Sequence, residues 1–191
     1  MIYLMRHGAD DEMRLGGWSD APLSLLGVAQ AEKAAEMIAE SNYVIQHIVA
    51  SDLPRAEQTA DIVGKRLEIA VDLNPLFREV DNGVLAGMPK EDARKKYPGL
   101  YWRSLGWEES YPNGESPKQF FERIKAAWEH LKANAAVSNG DTLLVTHAGV
   151  IDVILCLENG VPYTNRHTSF RLGSAKLTAV PIRCKKHTRL R

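Results

Sequence analysis

The chain has 191 residues, 45% hydrophobic and 25% charged, a composition that excludes a disordered protein and suits one compact domain. Its 24 basic and 24 acidic residues cancel, so no whole-molecule field draws nucleic acid or an anionic membrane, and any anion site has to be local. Two cysteines, Cys156 in an apolar run and Cys184 in a basic tail, offer no disulfide framework and imply a reducing compartment, read as the cytoplasm.

Taken in order, Met1 to Arg6 reads as a buried strand, because Arg6 and His7 interrupt the apolar run before it forms the hydrophobic stretch of a secretion signal. No apolar segment reaches the roughly 18 residues that span a bilayer. Leu25, Val28, Ala31, Ala35 and Ile38 follow helical spacing, His47 to Ala50 is a short second strand, and a helix is expected after Pro54. The stretch 74–114, rich in Gly, Pro and aromatics, reads as an excursion over the active face, where substrate contacts concentrate. Ser116-Pro117-Lys118-Gln119 has the form of a capping box with proline at the first helical position. In the helix it opens, Phe120, Ile124, Ala127 and Leu131 should face a sheet while Lys125, Glu129 and Lys132 face water. Thr142 to Thr146 is a central parallel strand, ended by His147-Ala148-Gly149; Val150 to Leu155 continues as a helix, and Ala175 to Ile182 offers a last strand. The alternation predicts an α/β fold, a three-layer α/β/α sandwich on a mostly parallel sheet, as one domain over 1–182 with a solvated basic tail at 183–191.

Two histidines each end a strand-like run, His7 within Arg6-His7-Gly8 and His147 within His147-Ala148-Gly149. Open α/β sheets bind ligands at the carboxyl ends of their strands, where both imidazoles could converge. Further motifs stand in order between and around them: Arg14 to Asp20 with Pro22-Leu23-Ser24 and Gly27, Ser51 to Ala60, Phe77-Arg78-Glu79 with Gly83 and Gly87, Gly114-Glu115-Ser116, and Thr146 to Val150. Together they resemble the histidine phosphatase superfamily over nearly the whole chain.

That resemblance implies hydrolysis of a small phosphorylated metabolite through a phosphohistidine on His7, with Glu79 as acid and base. It also implies a phosphate pocket lined by Arg6, Arg55, His147, Gly8 and Ala148, and neither metal nor cofactor. The chemistry agrees with these residue types. A metal-free phosphoryl site needs several fixed donors around the non-bridging oxygens, which two guanidiniums and an imidazole supply. His7 has to be neutral to attack, favoured by adjacent positive charge, and Glu79 has to hold a proton for the leaving oxygen. For Arg55 the competing expectation is a surface pair with Glu57 or Asp61.

The chain departs from the family at Ala9 to Met13, where relatives carry a phosphate-contacting asparagine. Asp10, Asp11 and Glu12 would repel highly anionic substrates unless they turn outward. Insertions that close over phosphoglycerate in the mutases look absent, which favours hydrolysis. The alternatives are a phosphoglycerate-type phosphomutase and a non-catalytic phospho-ligand binding protein. Arg78, Lys90, Arg94, Lys95, Lys96 and Arg103 are candidates for a second acidic group of the substrate. Trp18, Tyr97, Tyr101, Trp102 and Trp107 either wall a pocket or cover the core.

Overall fold

The computed structural model describes residues 1–182, so the tail 183–191 and Cys184 lie outside the described residues. Five strands form one sheet: β1 (Ile2–Arg6), β2 (Ile45–Ala50), β3 (Val71–Leu73), β4 (Asp141–Thr146) and β5 (Leu177–Val180). Their order is β3-β2-β4-β1-β5, and only β5 runs antiparallel. The alternation of side chains along β1 and β4 assigns the two faces. Tyr3, Met5, Leu143 and Val145 pack against Ala34, Ala35 and Ile38 of α1 (Leu25–Ala39) and Ala60 and Val63 of α2 (Pro54–Leu67). The alternate residues Ile2, Leu4 and Leu144 point the other way. After a short helix in the excursion, α3 (Lys90–Lys96), that second face is covered by α4 (Pro117–Val137) and α5 (Ala148–Asn159). Three layers result, as the sequence predicts.

The local signals act where they are written. Ser116 Oγ accepts from Gln119 N at 3.2 Å and Gln119 Oε1 accepts from Ser116 N at 2.8 Å, closing the capping box of α4. Phe120, Ile124, Ala127, Trp128 and Leu131 then form its buried face. On α1 the buried stripe is Gly27, Ala31, Ala34, Ala35 and Ile38. Leu25 does not join it and is 91% exposed, because at about 100° per residue it falls roughly a third of a turn away from Ala31 and Ile38.

The segment 74–114 contains two 3-10 turns, Pro75–Phe77 and Gly83–Leu85, followed by α3. Leu85, Ala93, Leu105 and Tyr111 give it a small core of its own. It is stitched to the loop after β1 by Leu15 N to Met88 O and Gly87 N to Leu15 O, both 2.9 Å. Trp102 stacks on Tyr111 and meets Phe120 edge-on, so this tryptophan covers the core. No helix among the described residues is long and apolar enough to cross a membrane.

Candidate active site

The parallel register of β1 and β4 sets Arg6 opposite Thr146. His7 N continues the ladder by donating to Thr146 O at 2.9 Å. The next residue of each strand is therefore a histidine, and the two rings lie 5.0 Å apart, centroid to centroid. The helix leaving β1 covers one face of the sheet and the helix leaving β4 the other, so the chain diverges at this point and leaves a crevice.

Both imidazoles are held neutral. His7 Nδ1 is 2.6 Å from Gly8 O, which can only accept, so the proton sits on Nδ1 and Nε2 keeps its lone pair. Arg55 Nε approaches that Nε2 at 3.3 Å. Burial, then the Arg55 charge, lower the His7 pKa to about 3. His147 is fully buried and its pKa lies well below the usual histidine value, for the same two reasons in the same order. Its Nε2 is 2.8 Å from Ser51 Oγ.

The loop that carries His7 is fitted tightly. A Cβ on Gly8 would stand 2.4 Å from Gly27 O, and one on Gly27 2.0 Å from Ala9 O. Gly8 N donates to Thr59 Oγ1 at 3.0 Å, and that hydroxyl donates to Arg55 O at 2.7 Å. Gly8 thus fixes the tautomer of His7 through its carbonyl, while its N–H is committed to Thr59. Arg55, 1% exposed, makes no pair with Glu57 or Asp61. Its guanidinium donates to Gly17 O at 2.8 Å and Ser19 O at 3.2 Å, and its Nε lies 3.4 Å from Asp10 Oδ2. Two buried nitrogens, Arg6 Nε and His147 Nδ1, hydrogen-bond to nothing among the described residues. An anionic oxygen is a partner of the right sign for the Arg6 guanidinium, and for His147 in the tautomer that carries its proton on Nδ1.

Glu79 completes the group. Its Oε2 accepts from Gly149 N at 3.1 Å and its Oε1 from Val80 N at 3.2 Å. Burial pushes its carboxyl above the usual range, against the opposing pull of the Gly149 N–H and of Arg55. Arg6, His7, Arg55 and Glu79 share one cavity of about 360 Å³. Asp10, Asp11 and Glu12 border it too: Asp10 turns inward against Arg55, while Asp11 and Glu12 stand on the exposed rim. Ala148, by contrast, opens α5 and lines a neighbouring cavity of about 110 Å³ together with Gly149 and Tyr163.

Of the excursion's cations, Lys90 lines the main cavity. Arg78 grips Asp52, with Nε 2.6 Å from Oδ1, and its guanidinium lies 4.7 Å from the centre of the Trp18 ring; it serves the scaffold. Lys95 pairs with Glu91 at 2.7 Å on the surface. Tyr97 and Tyr101 line a separate groove with Leu15, Lys90 and Leu100.

The motifs assign no individual role to three supporting positions, two of which, Ser51 and Thr59, stand within the stretch Ser51 to Ala60. Arg123 of α4 binds the carbonyls of Leu76, Arg78 and Glu79 at 2.8, 3.0 and 3.1 Å and the Glu115 carboxylate at 2.6 Å, holding the backbone of Glu79 in place. Ser51 and Thr59 orient His147 and Gly8. All three lie inside or next to recognised segments, but only the fold discloses which atoms they reach.

Comparison with known proteins agrees with the geometry. The profile of the histidine phosphatase superfamily, branch 1, matches residues 2–189. The Proteus mirabilis protein named "Probable phosphoglycerate mutase GpmB" is 31% identical over 183 residues, 89% of this chain and 80% of its own. The Bacillus subtilis "Uncharacterized phosphatase PhoE" is 31% identical over 157 residues, 81% of this chain and 75% of its own. Among solved structures, a mycobacterial glucosyl-3-phosphoglycerate phosphatase superposes with a TM-score of 0.76 at 28% identity, covering 92% of this chain and 87% of its own. An α-ribazole phosphatase from Shigella flexneri shares the fold, with a TM-score of 0.78 at 21% identity over 92% of this chain and 87% of its own. With the profile spanning almost its entire length and the two histidines, Arg55 and Glu79 gathered at one strand crevice, the chain belongs to the histidine phosphatase superfamily.

Proposed function

We propose that the protein hydrolyses a small phosphomonoester through a phosphohistidine on His7 Nε2, with Glu79 exchanging the proton. The observation that carries this reading is the state of His7: neutral, its proton on Nδ1 facing Gly8 O, its Nε2 lone pair beside the Arg55 Nε–H. In the first step the Nε2 lone pair attacks phosphorus, the bond to the substrate's ester oxygen breaks, and protonated Glu79 delivers its proton to that oxygen. Water then attacks phosphorus, Glu79 takes back a proton, the P–N bond breaks and His7 leaves neutral. Arg6, Arg55 and His147 meet the non-bridging oxygens, where charge is greatest in transfer.

Among relatives, one carries a phosphatase name and another a mutase name. Hydrolysis is favoured by a cavity whose rim at Asp11 and Arg14 is open to solvent and admits water. Purified protein should release phosphate from p-nitrophenyl phosphate in EDTA and acquire an alkali-stable, acid-labile phosphoryl group. His7→Ala should abolish both. Phosphate moved between positions of glycerate with a bisphosphate primer, and little released to water, would favour the mutase instead; phosphate binding without turnover would leave only a binding protein.

A further inference from the structure

Asp10 faces the same donor that a phosphoryl group would need. Its Oδ2 lies 3.4 Å from Arg55 Nε, and that N–H approaches His7 Nε2 at 3.3 Å. A phosphoryl group on its way to Nε2 brings its non-bridging oxygens to the same N–H, so the carboxylate and the phosphate compete for it. Asp10 is not needed to aim the guanidinium, because Ser19 O and Gly17 O already hold the other two nitrogens. The Asp10 side chain is 19% exposed and shares the cavity with Arg6, His7 and Glu79. On the same rim Asp11 draws Arg14 to 3.5 Å, and Glu12 adds a third carboxylate. Four cations (Arg6, Arg14, Arg55, Lys90) thus face four acidic groups (Asp10, Asp11, Glu12, Glu79) around one cavity.

We propose that Asp10 is a specificity-determining residue, an anionic competitor inside the phosphate pocket that admits one phosphate on a neutral or cationic alcohol and turns away substrates bearing a second acidic group. The inference rests on the reading that this cavity binds phosphate. A bound phosphate takes Asp10's cation and leaves the carboxylate unpaired at the cavity wall. A second anionic group on the substrate would meet that charge, whereas an ammonium group would replace the lost partner.

The test is calorimetric titration of inorganic phosphate and of fructose 1,6-bisphosphate into wild type, Asp10→Asn and Asp10→Ala, with Glu12→Gln as a rim control. Both Asp10 variants should bind phosphate about tenfold tighter and gain at least a further tenfold for the bisphosphate, while Glu12→Gln shifts either by less than about threefold. Unchanged affinity overturns the proposal. Weaker phosphate binding in the Asp10 variants overturns it too, since the carboxylate would then be a prop for Arg55. An equal gain in Glu12→Gln assigns the effect to the general field of the rim and removes Asp10's special part. If wild type binds no phosphate at millimolar concentration, the reading of the cavity itself fails, a result distinct from all of these.

Discussion

Gly149 stands directly under the carboxylate of Glu79, and placing a methyl group there separates folding from catalysis. A Cβ on Gly149 would come 2.4 Å from Glu79 Oε1 and 3.2 Å from its Cδ. Ordinary contact begins near 3.4 Å, so the carboxylate has to retreat by about 1 Å, losing or bending its bond from Gly149 N. What moves is the end of a flexible side chain, so the fold should tolerate it. Gly149 is the second residue of α5, and alanine there should leave stability unchanged or raise it by less than about 1 kcal/mol. A displacement of about 1 Å at a catalytic group can cost about a hundredfold in rate. That loss should appear where protonation of the leaving oxygen matters. Gly149→Ala is therefore expected to lower kcat about a hundredfold for an alkyl phosphate such as glycerol phosphate, but less than about tenfold for p-nitrophenyl phosphate, whose leaving group needs little help. Steady-state kinetics on the two substrates, with thermal unfolding alongside, makes the measurement. Equal rates to wild type on the alkyl phosphate, with an unchanged Tm, would refute the assignment of Glu79 as the acid.

Two further outcomes concern stability. His7 resists protonation in the folded state down to about pH 3, while in the unfolded chain it charges below about 6.5. The unfolded state then binds more protons in that window, and stability drops as pH falls through it, by about 1.4 kcal/mol per unit for this residue. His147 acts in the same sense, and Glu79, whose carboxyl is raised, opposes them over part of the range. Between pH 6.5 and 5, urea unfolding of His7→Gln should show about 2 kcal/mol less loss than wild type; parallel slopes would mean that His7 is charged in the native protein. At Gly8 the obstruction is backbone, the carbonyl of Gly27 at 2.4 Å from a new Cβ. Gly8→Ala should therefore cost about 1–3 kcal/mol by chemical denaturation, with loss of phosphoryl capture; a wild-type midpoint would show the loop to be looser than described.

The layered fold was legible because each strand and helix carries its own pattern: β1 and β4 alternate between two apolar faces, and Ser116 with Gln119 announces α4 before it begins. The convergence of His7 and His147 followed from strand ends once β1 and β4 are neighbours, although adjacency of β1 to β4 rather than β2 is a matter of topology that no local pattern encodes. Arg55 was drawn toward the pocket by its motif, yet its partners at Gly17, Ser19 and Asp10 come from a loop of irregular geometry. Leu25 departs from the buried face because helical spacing extended one step too far takes an exposed residue into the stripe. Arg123 carries no signal in the sequence because a charged residue on an amphipathic helix ordinarily faces solvent, and only its carbonyl partners reveal otherwise.

The Arg123 contacts also bear on how such a site diversifies. One guanidinium spans the start of the excursion at Leu76 to Glu79 and, through Glu115, its far end, since Glu115 Oε1 also receives Asp81 N at 2.8 Å. The two ends are pinned together at the base, as the neck of a bag is drawn shut by one cord. Residues between them can lengthen, shorten or change character without shifting the carboxylate at position 79, so under the proposed function the choice of substrate can drift while the proton donor keeps its place.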